Sequence, residues 1–439
     1  MKITDFFNND YVNQASYDNL RKIASCIDGQ KNAARKVLFT ILEKNIKTEI
    51  KVSQLGSKVS EFAEYLHGNL DGVIVNLAQN FAGTNNLPLL VREGNFGNRF
   101  TPDASAPRYI FTHGSNSLFE LFNKEDSNIL IEQSFEGYRI EPRFYVPNLP
   151  ILLINGSEGI SSGFAQKVLP RNPKDIIKAV KSKVQGKKIP KLVPYFEGFN
   201  GVIEQGENEL QWLVKGVIER IGLTKLLIKE VPVGYDLKSY IKVLDDLEEK
   251  GLINSYKDKS ENDKFLFEIT MNAKLLKDST DEDLLVKFKL VKRITENLTC
   301  TDENNKIKIF NNIEEILDYY VEVKMKYLGK RKEYIISKIK SDSDIAKSKF
   351  KYITLVINDK IILKNRKKDD IIKDISKEKD IIQVNESYNY LINMPMHSVS
   401  KETLKELEDK VKELELKLKE IESETLEEMW LKDLENIKF

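Results

Sequence analysis

The chain has 439 residues, 41% hydrophobic and 31% charged, a balance that excludes a disordered or membrane-embedded chain and suits roughly two to four folded domains. Its 69 Lys+Arg and 68 Asp+Glu leave a formal charge of +1, so a nucleic-acid site must be a local patch and not a global basic coat. Two distant cysteines, Cys26 and Cys300, form no metal-ligand cluster and point to a reducing compartment. Met1 to Asp10 lacks the apolar stretch of a signal peptide, and no run approaches the roughly 18 apolar residues of a membrane span, so a cytoplasmic protein is expected.

From Ser16 to about Asn80 the pattern is helical. Ala33, Val37, Leu38 and Ile41 form one apolar face behind the basic trio Lys31, Arg35 and Lys36. Further helices are predicted near Val52 to Leu66 and Val73 to Phe81. Three short helices followed by a turn-rich aromatic segment, Gly94 to Phe111, fit a winged helix, whose helix-turn-helix would lie in or across a DNA groove, and they fit equally any three-helix cluster. Ile151 to Ile154 is predicted as a short strand entering the glycine-rich turn Asn155-Gly-Ser-Glu-Gly-Ile160. From about Asn200 to Thr301, strand-like runs (Leu226 to Val231, Phe265 to Thr270, Leu284 to Lys289) alternate with a helix over Leu237 to Lys250.

Ten of the 12 prolines lie between Pro88 and Pro194, and only Pro395 follows Pro232, so long helices are open to the last third. Ile313, Ile316, Tyr320, Val323 and Tyr327 repeat at alternating spacings of 3 and 4, as do Leu404, Leu407, Val411, Leu414, Leu418 and Ile421. That is a coiled-coil seam, or two helices of an ordinary bundle, flanking a region rich in isoleucine and lysine. The expected fold is α+β and multidomain: a winged-helix DNA-binding domain over 1–150, an α/β domain over 151–305, and over 306–439 a long antiparallel coiled coil with a small globular tip at about 345–400.

Arg108-Tyr109 is the one Arg-Tyr pair, with one of 17 tyrosines. A phenol, with a pKa of about 10, is a weak nucleophile unless a neighbour stabilises its anion. An adjacent guanidinium can do that, and can also bind phosphate oxygens in a transition state. The pair alone is weak evidence, since most tyrosines are core or surface residues.

The surrounding text is specific. Residues Ile27 to Phe39, Lys51-Val-Ser-Gln-Leu55, Tyr65-Leu-His-Gly68, Val75 to Phe81, Glu93-Gly-Asn-Phe-Gly97, Ser105 to Thr112, Leu153 to Ile160 and Met394 to Lys401 occur in an order that resembles the cleavage region of type IIA DNA topoisomerases. The eukaryotic enzymes and the cleavage subunits of T4-like bacteriophages are the nearest in pattern, with gyrase A more distant. The resemblance covers nearly the whole chain. It implies that Tyr109 forms a 5′-phosphotyrosyl link with cleaved DNA and that Arg108 orients the scissile phosphate. It places Arg35 at the same phosphate region, Lys36, Lys31 and Lys51 among the DNA contacts, His67 near a phosphate, and Ile160 as a wedge between base pairs. Without the resemblance, the trio reads as a solvated basic face, His67 as a structural hydrogen-bonder and Ile160 as a buried turn residue. Asn32, Ala33, Leu66 and Asn69 depart from the family's usual residues, which touches the details of phosphate positioning.

No TOPRIM segment with its magnesium-binding acids is legible, since Asp342-Ser-Asp344 sits in a lysine-rich helical stretch, and no Gly-rich ATP site is present. The resemblance therefore implies that Mg²⁺ and ATP are bound by a separate large subunit. It further implies that 151–305 is a tower domain and about 345–400 a dimerisation gate, with double-stranded DNA as substrate, a homodimer through that C-terminal gate, and relaxation or decatenation as the reaction, in the host cytoplasm if the source is a phage. The rival readings are a non-catalytic dimeric winged-helix protein that bridges DNA, and a degenerate inactive subunit.

Overall fold

The computed structural model describes residues 3–438, with only the backbone of Met396; Met1, Lys2 and Phe439, which the readings of the chain ends include, lie outside it. The chain is mixed α/β. It folds as two compact units, residues 3–325 with 431–438, and residues 326–430. The expected boundary after residue 150 falls inside the first unit, and the expected 306–439 segment is divided between the two.

The first unit opens with a helix that passes through a π-helical stretch, Phe6–Tyr11, into α1 (Val12–Lys22). Then come α2 (Asn32–Glu43), β1 (Ile50–Lys51), α3 (Val52–Phe62) and α4 (Asp71–Ala78). Val37, Leu38 and Ile41 of α2, Leu55 and Val59 of α3, and Ile74 of α4 are fully buried, so the three periodic faces meet in one core. Helix α3 stops short of Leu66 because Glu64 adopts a φ of 49°, through which a right-handed helix cannot continue. Strands β2 (Leu90–Glu93) and β3 (Phe111–Gly114) complete an antiparallel sheet in the order β1-β3-β2. Helix α5 (Asn116–Leu121) follows.

Ile151 to Ile154 form not a strand but a short buried helix, α6 (Ile151–Asn155). Four apolar residues in a row carry no period, so pattern alone does not separate a buried strand from a buried helical turn. Gly156, at a φ of 69°, ends the helix and starts the hairpin of β4 (Ser157–Ile160) and β5 (Ala165–Val168). Beyond residue 200, β6 (Val202–Gln205), β7 (Gln211–Lys215), β8 (Val217–Arg220) and β9 (Lys225–Glu230) precede α7 (Leu237–Glu249). Strands β10 (Ser255–Asp258) and β11 (Phe267–Thr270) then join a four-stranded sheet, β8-β9-β11-β10. Leu284 to Lys289, expected as a strand, lie largely in helix α8 (Asp281–Lys287). The available signal was Thr280 with Asp283 three residues on, whose side chains cap each other's backbone amides. Strand β12 (Val291–Thr295) pairs with β7, giving a second sheet, β12-β7-β6.

In the second unit, residues 326–357 of a 45-residue helix, Ile313–Ile357, run antiparallel to Lys401–Ser423. The direction is fixed by Lys340–Glu422 at 3.1 Å and Lys347–Glu415 at 2.8 Å. The expected seam, Leu404 to Ile421, is the half-buried stripe of the second helix, while nearly all positions between are exposed. A distal cluster of Tyr352, Ile353, Ile361, Ile371, Ile375, Ile381 and Leu391 forms its own core around the helix Lys368–Ile375. Asp342 and Asp344 are exposed on the long helix.

The deepest charge pair in the first unit is Arg171–Glu296, each side chain 1% exposed. Both carboxylate oxygens are engaged by the guanidinium at 2.7 Å, and they also accept from Leu169 N (2.7 Å) and Trp212 Nε1 (3.0 Å). Removing one partner leaves the other charged and dry. Glu296→Ala is expected to lower unfolding free energy by about 3–5 kcal/mol in a urea titration, and an unchanged midpoint would contradict this role.

Candidate active site

Tyr109 sits on the loop just before the central strand β3, 68% exposed. Its position is set by backbone bonds around it and not by its own side chain. Val52 N donates to Ile110 O (3.0 Å) and Ser53 N to Pro107 O (3.3 Å), so the start of α3 grips the loop on both sides of the tyrosine. Tyr109 N closes a turn onto Ala106 O (2.9 Å). The Arg108 guanidinium lies over the Tyr109 ring, 5.2 Å from its centroid, and is itself exposed. The pair thus presents a free hydroxyl and a free cation side by side. An exposed pair of this kind has no use in packing, and it suits an incoming anion such as a phosphate.

The preceding loop is held from behind. Gln79 Nε2 donates to Phe96 O (2.8 Å) and Pro102 O (3.0 Å), and Ser105 N to Asn95 O (3.0 Å). A Cβ on Gly97, at a φ of 82°, would lie 2.3 Å from Pro102 O, so only glycine closes this loop without a shift. Arg99 turns inward to Glu230 (2.9 Å) and Val231 O (2.6 Å), tying the loop to the β9 end.

The expected basic face of α2 is not solvated. Arg35 is buried and bidentate to Asp28, at 2.8 and 3.1 Å. Burial works against its charge, but Asp28 beside it prevails and raises the guanidinium pKa above its ordinary value. Lys36 is also buried, with Glu141 at 2.7 Å. Burial raises the Glu141 carboxyl, against the pull of Lys36. Asn32 donates to the same Glu141 (3.0 Å), which gives this departure from the family pattern a local partner. Lys31 is half-buried and donates to Glu158 O of β4 at 2.6 Å; burial lowers its ammonium pKa, with Glu158 opposing. Lys51 stands in β1 opposite Phe111 of β3, two residues from Tyr109, with no ion pair among the described residues.

Ile160, expected to be a buried turn residue if judged by composition alone, is 77% exposed at the tip of the β4-β5 hairpin. Asp18 of α1 holds that tip by accepting from Ser161 Oγ (3.1 Å), Ser162 N (3.1 Å) and Ser162 Oγ (2.9 Å). Lys22, 2.8 Å away, and Ser162 bring the Asp18 carboxyl down to about 2. Gly159 passes so close to Lys22 that a Cβ there would meet Lys22 O at 2.0 Å. His67 is exposed, and its Nε2 bonds the Tyr17 hydroxyl of α1. Leu66 beside it is 72% exposed.

The structure therefore joins Lys31 to the Ile160 hairpin, sets Lys51 beside the strand after Tyr109, and sends Arg35 and Lys36 inward. Among the described residues no hydrogen bond or ion pair links Arg108 or Tyr109 to the others. Sequence reasoning missed Asp28, Glu141, Gln79 and Asp18, which position these groups. Asp28-x-Gln30 was a readable turn signal, since Asp28 Oδ1 accepts from Gln30 N (2.9 Å). Among the described residues no group of three or more His, Cys, Asp or Glu is placed to hold a metal ion, so these residues do not offer a donor set for Mg²⁺. Among the described residues no helix is long and apolar enough to cross a membrane.

Residues 21–435 match the family described as the A subunit of DNA gyrase/topoisomerase IV. DNA topoisomerase 2, mitochondrial, of Dictyostelium discoideum is 33% identical over 448 residues, covering 99% of this chain and 35% of that protein. DNA topoisomerase 2 of Saccharomyces cerevisiae is 32% identical over 85% of this chain and 27% of its own length. A crystal structure of the DNA-binding, cleavage and re-ligation domain of Plasmodium falciparum topoisomerase II superposes with a TM-score of 0.89 at 33% identity, over 98% of this chain and 63% of that one. The chain thus spans about a third of the length of the curated relatives it matches.

The two arginines of this site differ in a measurable way. Arg35→Ala strands Asp28 and is expected to cost about 3–5 kcal/mol of stability, whereas Arg108→Ala, at an exposed position, should shift it by less than about 0.5 kcal/mol. Urea unfolding of both variants beside the parent checks this, and equal losses would overturn the division into a structural and a presented arginine.

Proposed function

Since the chain belongs to the family of the DNA gyrase and topoisomerase IV A subunits, the cleavage region of type IIA topoisomerases, we propose that it cuts and reseals double-stranded DNA through Tyr109. The observation that carries this is the exposed Tyr109 hydroxyl with the Arg108 guanidinium over its ring, on a loop braced by α3. The Tyr109 oxygen attacks a backbone phosphorus, forms a P–O bond, and the P–O3′ bond breaks; the phenolic proton leaves and the departing 3′ oxygen takes one up. One phosphodiester replaces another, so bond energy is retained for the reverse step. Arg108 binds the phosphate oxygens as charge develops. Lys51 adds a free cation close by, and Lys31, held on the hairpin, adds charge near Ile160. His67 and the ends of Arg35 and Lys36 are second-rank contacts, because the latter two already serve Asp28 and Glu141.

Ile160, exposed and braced from below, is the proposed wedge that unstacks a base step and bends the duplex. On this reading the helices α2–α4 with their sheet are a winged-helix DNA gate, residues 151–305 a tower, and the antiparallel helix pair a coiled coil. The distal cluster is then the lower dimer gate, so that two copies cut opposite strands. Mg²⁺ and ATP are assigned to a separate large subunit, with relaxation or decatenation as the outcome, a phage-like division into separate chains, and the cytoplasm as the place of action.

The test mixes this chain with a large subunit, Mg²⁺ and supercoiled DNA, stops with detergent, and looks for protein on DNA 5′ ends. An adduct is expected from the parent and none from Tyr109→Phe. A parent without adduct, or a Tyr109→Phe protein with as much, would sink the proposal in favour of DNA bridging. DNA affinity of the same chain should fall steeply, on the order of 10³-fold between about 50 and 200 mM salt, as phosphate contacts release counterions. A flat salt profile in a filter-binding series would contradict the phosphate contacts.

A further inference from the structure

A cavity of about 450 Å³ lies within the first unit, between the C-terminal end of α2, α5 and the segment 122–130. This is within the range of ~300–1,000 Å³ typical of small-molecule sites. Leu42, Phe119, Phe122 and Leu130 supply the apolar part of its walls. Four charged side chains also line it, and they are not equivalent. Both carboxylates are committed: Glu43 to Arg139 (3.3 Å) and Asp126 to Lys324 (3.8 Å). Neither ammonium has an anionic partner among the described residues. Lys47 has only the Phe119 ring, 4.6 Å from its centroid, and Lys124 is exposed.

A third polar group points the same way. Tyr145 lines the cavity, is only 8% exposed, and stands edge-on to Phe122 at 5.3 Å. Its hydroxyl has no hydrogen-bond partner among the described residues. Burial raises its pKa well above the ordinary value, so it remains a donor. Lining the cavity and unpaired within the described residues, it can donate to a bound acceptor. The cavity thus offers two unpaired cations, one hydroxyl donor and a space lined by aromatic rings.

We propose that this cavity binds a small aromatic anion, with its rings between Phe119 and Phe122, its charge on Lys47 and Lys124, and an acceptor facing the Tyr145 hydroxyl. The site is separate from Tyr109 and uses none of the residues assigned to DNA.

The probe is 8-anilinonaphthalene-1-sulfonate, an aromatic sulfonate that fluoresces when its rings leave water, titrated into the full chain. One saturable site is expected. The double variant Lys47→Glu/Lys124→Glu should weaken binding about tenfold or more, which corresponds to roughly 1.4 kcal/mol. Both lysines are exposed, so folding is not at stake. Leu130→Trp, which fills the slot, should remove the signal, and N-phenyl-1-naphthylamine, the same rings without the sulfonate, should bind about tenfold more weakly. Unsaturable binding, an unchanged affinity in the charge-reversed variant, a persisting signal in Leu130→Trp, or equal binding of the neutral probe would each overturn the proposal.

Discussion

The carboxylate of Asp28 is fully buried and accepts four hydrogen bonds, two from Arg35, one from the Gln30 amide and one from the Tyr145 amide. The loop that enters α2 and the Tyr145 segment, 117 residues further along the chain, meet on that one group. A lone buried carboxylate would cost several kcal/mol, so the loop before α2 forms only with the Arg35 guanidinium in place. Arg35 in turn fixes the first turns of α2, from which Lys31 reaches the β4 backbone. Remove the pair and the entry to α2, the Tyr145 segment and the base of the hairpin lose their common anchor.

The same device recurs. Arg99 with Glu230 and Arg171 with Glu296 are also buried arginines, paired across longer stretches of sequence than Arg35 with Asp28. Planar, bidentate arginine suits this work better than lysine, since its donors satisfy a carboxylate in one fixed geometry. The consequence is a division of labour. Buried cations organise the backbone, and the exposed Arg108 and half-buried Lys51 are left for whatever anion arrives. Phosphoryl transfer depends chiefly on positioning, and the rigid part of the molecule is where that positioning originates.

Much of the frame was legible. The seam of Leu404 to Ile421 is the half-buried stripe of its helix, and α3, α4 and α7 lie within a few residues of their expected spans. Ile151–Asn155 and Asp281–Lys287 were not, the first because an unbroken apolar run has no period, the second because β-type residues outweighed a capping pair. The site was legible as a set of residues but not as an arrangement. Pattern marks Arg35 and Lys36 as basic; it does not say that their partners are Asp28 and Glu141, because which charges are buried together depends on tertiary packing that composition does not encode. The hairpin's dependence on Asp18, 142 residues before Ile160, is of the same kind.

That dependence bears on the proposed wedge. An isolated two-stranded hairpin is marginal in water, and unstacking a base step costs a few kcal/mol, so a tip left to itself would fold back before it entered a duplex. Here the tip is fastened from two sides, by Asp18 on the serines behind Ile160 and by Lys31 on Glu158 O. Because Asp18 titrates near 2 instead of 3.8, its charged form is the one that the hairpin favours, and this stabilisation is fully present above pH 3.8 and lost only as pH falls toward 2. Throughout the neutral range the apolar side chain at the tip therefore stays exposed and stiff, the two properties that a wedge requires and that a side chain destined for a core would not keep.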